Sequence, residues 1–335
     1  ETDQRNHDAR THKEHFKEAI HVESITDRGA SGVAGGIKLM GMIRAQSLSK
    51  TYGKKTVLRE VSIQIQNGEI LGLVGPNGAG KTTFLKCLLG IARADSGQAQ
   101  IDSFCTGRQS LAARKITGFA PSVVSLYDNL NAVQTLQLAI HGYPAPKLQV
   151  GLDLFDAFQL PRQQAVGKFS HGMKRKLLLV CALAANTPNL VLDEPMEGLD
   201  PEARRFVESL LTAEAQSGRC ILFSSHDLAS VERICQSVAF LRDGLLLEQA
   251  PLAEILDRAS RHIQLSFREP LTLEQLPQHE NLQWSGQGLK WSLRFQGPTE
   301  KALAMISSLP IASLRDSSAG LEDVFEALYR PELST

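Results

Sequence analysis

An α/β core, in which helices cover both faces of an apolar parallel sheet, followed by a small α+β appendage, is the fold class that this sequence predicts. Three observations lead there. Short strands such as LGLVG (71–75), NLVLDE (189–194) and CILFSS (220–225) are apolar on both faces, as strands buried inside a parallel sheet tend to be. Helical stretches lie between them, namely TTFLKCLLGIA (82–92), MKRKLLLVCALAAN (173–186) and PEARRFVESLLTAEAQ (201–216). That alternation is the grammar of βα units. After about residue 258 the pattern changes to short amphipathic strands and two further helical stretches.

Composition narrows the function classes. The 335 residues suffice for one large α/β domain and a smaller one. Apolar residues make up 42% and charged residues 21%, as in an ordinary globular protein. With 36 basic and 36 acidic residues the formal net charge is zero, so no bulk attraction draws the chain to nucleic acid or to an anionic membrane surface. The five cysteines (Cys87, Cys105, Cys181, Cys220 and Cys235) are scattered, odd in number and without a CxxC pair. They fit a reducing compartment, with buried packing as their role. The longest apolar run, LLLVCALAA (177–185), is too short to cross a bilayer, so any membrane-spanning part belongs to another chain.

In chain order, residues 1–42 are polar, rich in His and charge, and end in a Gly/Ser/Ala stretch. They read as a disordered leader, a fusion remnant, or residues ahead of the true start, since the chain opens on Glu1 and Met42 directly precedes the first strand, IRAQSLSKTY (43–52). TVLREVSIQIQNGEI (56–70) alternates with period two, which suits antiparallel strands with one wet face. The core runs to residue 258. In the appendage, 259–335, HIQLSF, LQWSGQG and KWSLRFQG read as short strands with SGQG (285–288) as a hairpin-type turn. PTEKALAMISSL starts a helix with proline, IASLRDSS is a further strand, and GLEDVFEALYR closes the appendage as an amphipathic helix.

GPNGAGKTT carries the first chemistry. Gly75, Gly80, Lys81 and Thr82 stand at the spacing G-x-x-x-x-G-K-[ST], with Pro76, Asn77, Gly78 and Ala79 between and Thr83 after. Such a loop turns backbone N–H groups toward phosphate oxygens, Lys81 reaches the β- and γ-phosphates, and the Thr82 hydroxyl is a Mg²⁺ ligand. In NLVLDEPMEGLD an apolar strand ends on Asp193, and Glu194 follows at once. Consecutive side chains point differently, so Asp193 can serve the Mg²⁺ and Glu194 an attacking water as general base. His226 ends another apolar strand on the same side. KFSHGMKRK (168–176) reads as a second anion-binding turn, in which Ser170 caps a helix and Gly172 admits a phosphate to the backbone.

Together these residues resemble the ABC family of transport ATPases over about residues 43–258. GPNGAGKTT matches its Walker A, VLDEP its Walker B, GLD (198–200, with Asp200) its D-loop, and Ser225-His226 its switch histidine. The resemblance implies a P-loop core of ABC type: a mixed sheet with helices on both faces, an antiparallel β subdomain and a helical signature subdomain. It places Tyr52 of KTYG against adenine and KFSHGMKRK in the place of the signature LSGGQ, where Ser170, His171 and Gly172 face the ATP of a partner chain. Two chains, identical or paired, then enclose two Mg-ATP, act on separate transmembrane permease subunits and sit on the inner face of the cell membrane. Nucleic acid is not implied, because the sequence has no coiled-coil insertion, zinc module or second core.

Two departures stand out. His171 replaces the first glycine of the signature and Met173 its glutamine. A histidine is tolerable there if its φ stays negative; it is either a neutral variant or an added donor to phosphate. Ser122 follows Pro121 where the family has the glutamine of its Q-loop, and serine is too short to reach metal and water without a bridging water. Slow hydrolysis, or an ATP-binding scaffold with little of it, is the alternative that these departures raise. GLEDVFEALY resembles the closing helix of exporter-type ATPases, which implies export.

Overall fold

The computed structural model describes residues 41–258, 261–280, 282–295, 299–316 and 320–329. The expected leader lies outside the described residues except for Gly41 and Met42. The chain divides into two compact units, one ending at Gln249 and the other beginning at Ala250.

The first unit holds two sheets. Strands β1 (Ile43–Tyr52) and β2 (Lys55–Ile65) form an antiparallel pair, and β4 (Ser96–Ile101) and β5 (Phe104–Cys105) extend it in the order β2-β1-β4-β5. Along β2 Val61, Ile63 and Ile65 are buried while Ser62 and Gln64 are exposed, the one-wet-face pattern of the sequence. The second sheet comprises β3 (Ile70–Val74), β6 (Thr117–Ala120), β7 (Asn189–Asp193), β8 (Cys220–Ser225), β9 (Ser237–Arg242) and β10 (Leu245–Pro251). Its order is β10-β9-β3-β8-β7-β6, with β9, β3, β8, β7 and β6 parallel. Every residue of β3, β7 and β8 is buried, which accounts for their unbroken apolar runs.

Helix α1 (Lys81–Leu88) packs between the two sheets, where Phe84, Leu85 and Leu88 join Ile43, Ile63, Leu71 and Leu222 in one core. Helix α2 (Thr106–Lys115) lies along β4 and β5. Helices α3 (Ala132–Ile140), α4 (Leu148–Ala157) and α5 (His171–Ala184) pack on one another as a helical layer. Asn131 and Gln134 close a capping box at the start of α3. Helices α6 (Pro201–Gln216) and α7 (Leu228–Ile234) lie against β3. A Cβ at Gly72 would meet Val231 of α7 at 2.9 Å, whereas the neighbours Leu71 and Leu73 face the α1 core. Helices therefore cover both faces of the sheet.

The second unit contains α8 (Leu252–Arg258), β11 (Arg261–Leu271), β12 (Leu282–Phe295), α9 (Thr299–Ile306), β13 (Ile311–Asp316) and α10 (Leu321–Tyr329). Its sheet runs β12-β11-β13, and Ala302 and Ile306 of α9 pack on Leu265, Trp291 and Leu293. One expectation is met here and one changes. SGQG reverses the chain as expected: a Cβ at Gly286 would lie 2.8 Å from the Cα of Trp291 and the rings of Trp284 and Trp291 stand 6.4 Å apart, so the two halves of β12 lie side by side, the second pairing with β11 from Leu271–Gly288 to Arg261–Phe295. Gly286 (φ +137°) and Gly288 (φ +60°) supply the backbone of that turn, and Leu282 before it and Trp291 after it reach the same core. The unit also begins before 258, because α8 packs on α10.

Candidate functional site

Register assembles the site. Val74 of β3 pairs with Ser225 of β8, and Asp193 of β7 pairs with Ser224 of β8, so three strands end side by side. The glycine loop 75–80, the pair Asp193-Glu194 and His226 all leave the sheet at that edge, where ligands of open α/β sheets bind.

The loop has the backbone that a phosphate cradle requires. A Cβ at Gly75 would lie 2.3 Å from the Leu241 carbonyl oxygen, and Gly80 has φ +107° with the Val57 carbonyl oxygen 2.8 Å from where a Cβ would stand. A side chain is excluded at both positions. Lys81, 7% exposed, donates to the carbonyl oxygens of Gly75 at 2.6 Å and Pro76 at 3.4 Å. Its ammonium also lies 3.3 Å from Oε1 of Glu194.

The two carboxylates have separate partners, as their adjacency predicts. Asp193 is buried; Oδ1 accepts from the Ser224 hydroxyl at 2.6 Å and Oδ2 from the Thr82 hydroxyl at 2.8 Å. Glu194 sits in the left-handed region at φ +52°, which costs on the order of 1–3 kcal/mol for a residue with a Cβ and persists only where the surroundings hold it. Those holds are visible. Its N–H donates to the Ser224 carbonyl at 3.2 Å and hydroxyl at 3.0 Å, and its Oε2 lies 2.9 Å from Nδ1 of His226.

A cavity of about 420 Å³ opens between these groups. Residues 76–83, Ser122, Glu194 and His226 line it, together with Lys55, Val57 and Glu197. Tyr52 is not among the lining residues; it is 51% exposed, with the Lys50 ammonium 5.1 Å from its ring centroid. It pairs across the β1–β2 hairpin with Lys55, which places it at the rim. Ser170, His171, Gly172 and Asp200 also lie outside this cavity.

Those four residues form a second grouping. The Ser170 hydroxyl caps α5 by accepting from the Met173 N–H at 3.2 Å. His171 is the first residue of that helix and keeps the negative φ that its place in the turn requires. Gly172 packs so closely that an added Cβ would lie 3.0 Å from the carbonyl oxygen of Gly198. Asp200 caps α6 through the Ala203 N–H at 2.8 Å and pairs with Lys176 at 3.3 Å. The cap and the ammonium hold its carboxyl below the usual carboxylate range.

The sequence reading missed Ser224, Lys55, Val57, Glu197 and Arg175. A serine doublet at the end of an apolar strand was the available signal for Ser224. The thiols behave as packing groups: burial pushes the Cys181 thiol up to about 12 and raises Cys87, Cys220 and Cys235 as well.

A glycine cradle ahead of a helix, with a buried aspartate against its threonine and a second carboxylate paired to a histidine, defines a P-loop nucleotide-binding ATPase. The family model described as "ABC transporter" matches residues 58–197. Nod factor export ATP-binding protein I of Paraburkholderia xenovorans (strain LB400) is 32% identical over 304 residues, covering 87% of this chain and 98% of that protein. A solved ATP-binding subunit of an ABC transporter superposes with a TM-score of 0.60 at 30% identity, covering 64% of this chain and 91% of that one. A bacterial ABC transporter cassette solved as a dimer shares the fold, with a TM-score of 0.58 at 24% identity over 63% of this chain and 98% of that one. The chain belongs to the ABC transporter family, as one of its ATP-binding ATPase subunits.

Proposed function

We propose that this chain dimerises, or pairs with a similar subunit, around two Mg-ATP and drives a separate transmembrane permease, in the direction of export. The observation that carries the reading is the convergence of Lys81, Thr82, Glu194 and His226 on one cavity at the sheet edge, with the buried Asp193 bonded to Thr82 behind it. The export name of the relative above supports the direction. No helix among the described residues is long and apolar enough to cross a membrane, which suits a peripheral place on the inner face of the cell membrane beside that permease.

In this mechanism the loop N–H groups and Lys81 hold the β- and γ-phosphates, and Lys81 exchanges Glu194 for phosphate oxygen. Glu194, oriented by His226 and by the Ser224 bonds to its amide, accepts the proton of the attacking water. Thr82 and Asp193 offer one hydroxyl and one carboxylate 2.8 Å apart. That hard-oxygen pair fits Mg²⁺ and would hold it, and no cluster of three His, Cys, Asp or Glu exists among the described residues to hold a metal alone. Held there, Mg²⁺ would supply neutralisation of the phosphate charge. Ser170, His171 and Gly172 receive the γ-phosphate of the partner's ATP, with Asp200 beside them, and Tyr52 at the rim stacks on adenine.

Phosphate release by the purified chain, followed by ATP-dependent efflux from vesicles that also hold the co-purifying permease, tests the reading. No release at saturating Mg-ATP removes the ATPase role, and inward transport removes the export role.

Ser122 lines the cavity but is short, so turnover should be slow. Ser122→Gln is expected to raise turnover several-fold with ATP affinity little changed; a tenfold rise needs only about 1.4 kcal/mol of transition-state stabilisation. Flat or reduced phosphate release would show that the loop is packed around serine. Ser170→Arg fills the turn meant for a partner's phosphate and is expected to abolish ATP-driven dimerisation while leaving the cradle of its own chain intact. A doubled mass by light scattering in that variant would exclude the head-to-tail arrangement.

A further inference from the structure

Arg175, in the second turn of α5, is 6% exposed although its side chain carries a full charge. A buried guanidinium is costly unless each of its N–H groups finds a partner. Here all three nitrogens do, and the partners come from three places in the sequence. Nε donates to Nε2 of His171 at 3.4 Å, Nη1 donates to the backbone carbonyl of Asp193 at 3.5 Å, and Nη2 pairs with Oε2 of Glu197.

Two of these anchors bracket Glu194. One is the carbonyl immediately before it, and the other is the side chain three residues after it. Between them the chain forms a turn closed by the Glu197 N–H on the Glu194 carbonyl at 3.2 Å. Glu194 needs such restraint, because its backbone lies at φ +52°. The third contact fixes the plane of the guanidinium from the turn that starts α5. With Nε2 accepting, the proton of neutral His171 resides on Nδ1.

We infer that Arg175 is a positioning residue for hydrolysis, and that His171 acts through it. Arg175 holds the 193–197 turn so that the Glu194 carboxylate stays aimed at the attacking water, and it ties that turn to the start of the signature helix. The histidine in place of glycine is therefore the acceptor that orients a buried guanidinium. This inference rests on the proposed role of Glu194 as the base. A planar fork places its donors on three separate nitrogens in fixed directions and so reaches three partners that lie apart, whereas a lysine carries all its donors on one nitrogen.

The experiment measures kcat and KM for Mg-ATP, with the thermal midpoint, for the full chain and for Arg175→Lys, Glu197→Gln, His171→Leu, His171→Gln and the doubles of Arg175→Lys with Glu197→Gln and with His171→Leu. Arg175→Lys is expected to lower kcat by roughly tenfold with KM within about twofold, the pattern of a group that matters for the reacting geometry and not for ATP binding. Glu197→Gln and His171→Leu should lower kcat in the same direction by smaller factors. His171→Gln, which keeps an acceptor one turn before Arg175, should restore most of the loss. Each double should be no slower than Arg175→Lys alone, because contacting residues that act as one unit are not additive. Wild-type kcat in Arg175→Lys, or doubles in which the losses multiply, would overturn the inference. If Arg175→Lys shows no cooperative melt, Glu197→Gln, at a side chain 47% exposed, and the His171 pair decide it: equal kcat in His171→Leu and His171→Gln counts against. A wild-type chain without phosphate release sinks the reading of Glu194 itself.

Discussion

Lys81→Ala abolishes Mg-ATP binding, and phosphate release falls by roughly 10²–10³-fold or more, the loss seen when one preorganised donor to developing charge is removed. The side chain is buried and directed back along the loop, onto the Gly75 and Pro76 carbonyls, so it stands where phosphate oxygens enter the cradle. Alanine leaves those carbonyls exposed to the ligand's negative charge with no cation between. The fold should persist. Lys81 belongs to the site and not to the apolar core, and Glu194 keeps His226 as a partner when the ammonium is gone. Isothermal calorimetry for ATP, phosphate release and a thermal melt check the three parts of this expectation. Unchanged phosphate release would remove the cradle assignment altogether.

Glu194→Gln gives the second large effect, with the opposite sign for binding. An amide cannot accept the proton of water, so hydrolysis drops by about 10²–10⁴-fold, the usual worth of a positioned general base. The change also removes the ion pair in which Lys81 lies 3.3 Å from Oε1. Phosphate then meets a lysine with no carboxylate competing for it, and ATP should bind as tightly as before or more tightly. ATP retained without hydrolysis accumulates the paired state, which light scattering reads as a doubled mass. A variant that stays monomeric at saturating Mg-ATP, alone and with its permease, counts against two chains sharing two nucleotides. One that hydrolyses at the wild-type rate places the base elsewhere.

What was legible in the sequence was whatever is contiguous. The loop from Gly75 to Thr83 reads as a cradle because its glycines, lysine and threonine follow one another, and adjacent residues need no partner from afar to set the backbone. Asp193 and Glu194 could be given separate tasks from their adjacency alone, and the structure hands one to Thr82 and the other to His226 and Lys81. The apolar strands were legible for a similar reason: a strand buried on both faces has nowhere to place a polar residue.

Contacts between distant segments were not legible. Ser224 holds Asp193 and the Glu194 amide across strands whose residues are 31 and 30 positions apart, and only the β7–β8 register makes them neighbours. Nothing local marks Arg175, which reads as one of several basic residues in KFSHGMKRK until the helix it belongs to buries it against the 193–197 turn. Glu197 reads as a solvated acid in EPMEGLD until the same packing brings it to the cavity wall. SGQG turns the chain as its residues suggest, but only the packing shows that the turn brings Trp284 to within 6.4 Å of Trp291. The sequence by itself determined the class of fold, the glycine loop and the placing of two carboxylates side by side at a strand end, since these follow from residue order and local backbone preference. Tertiary structure decided which groups hold Glu194 in its strained conformation and what His171 touches, since strand register and helix packing set those distances and no local pattern encodes them.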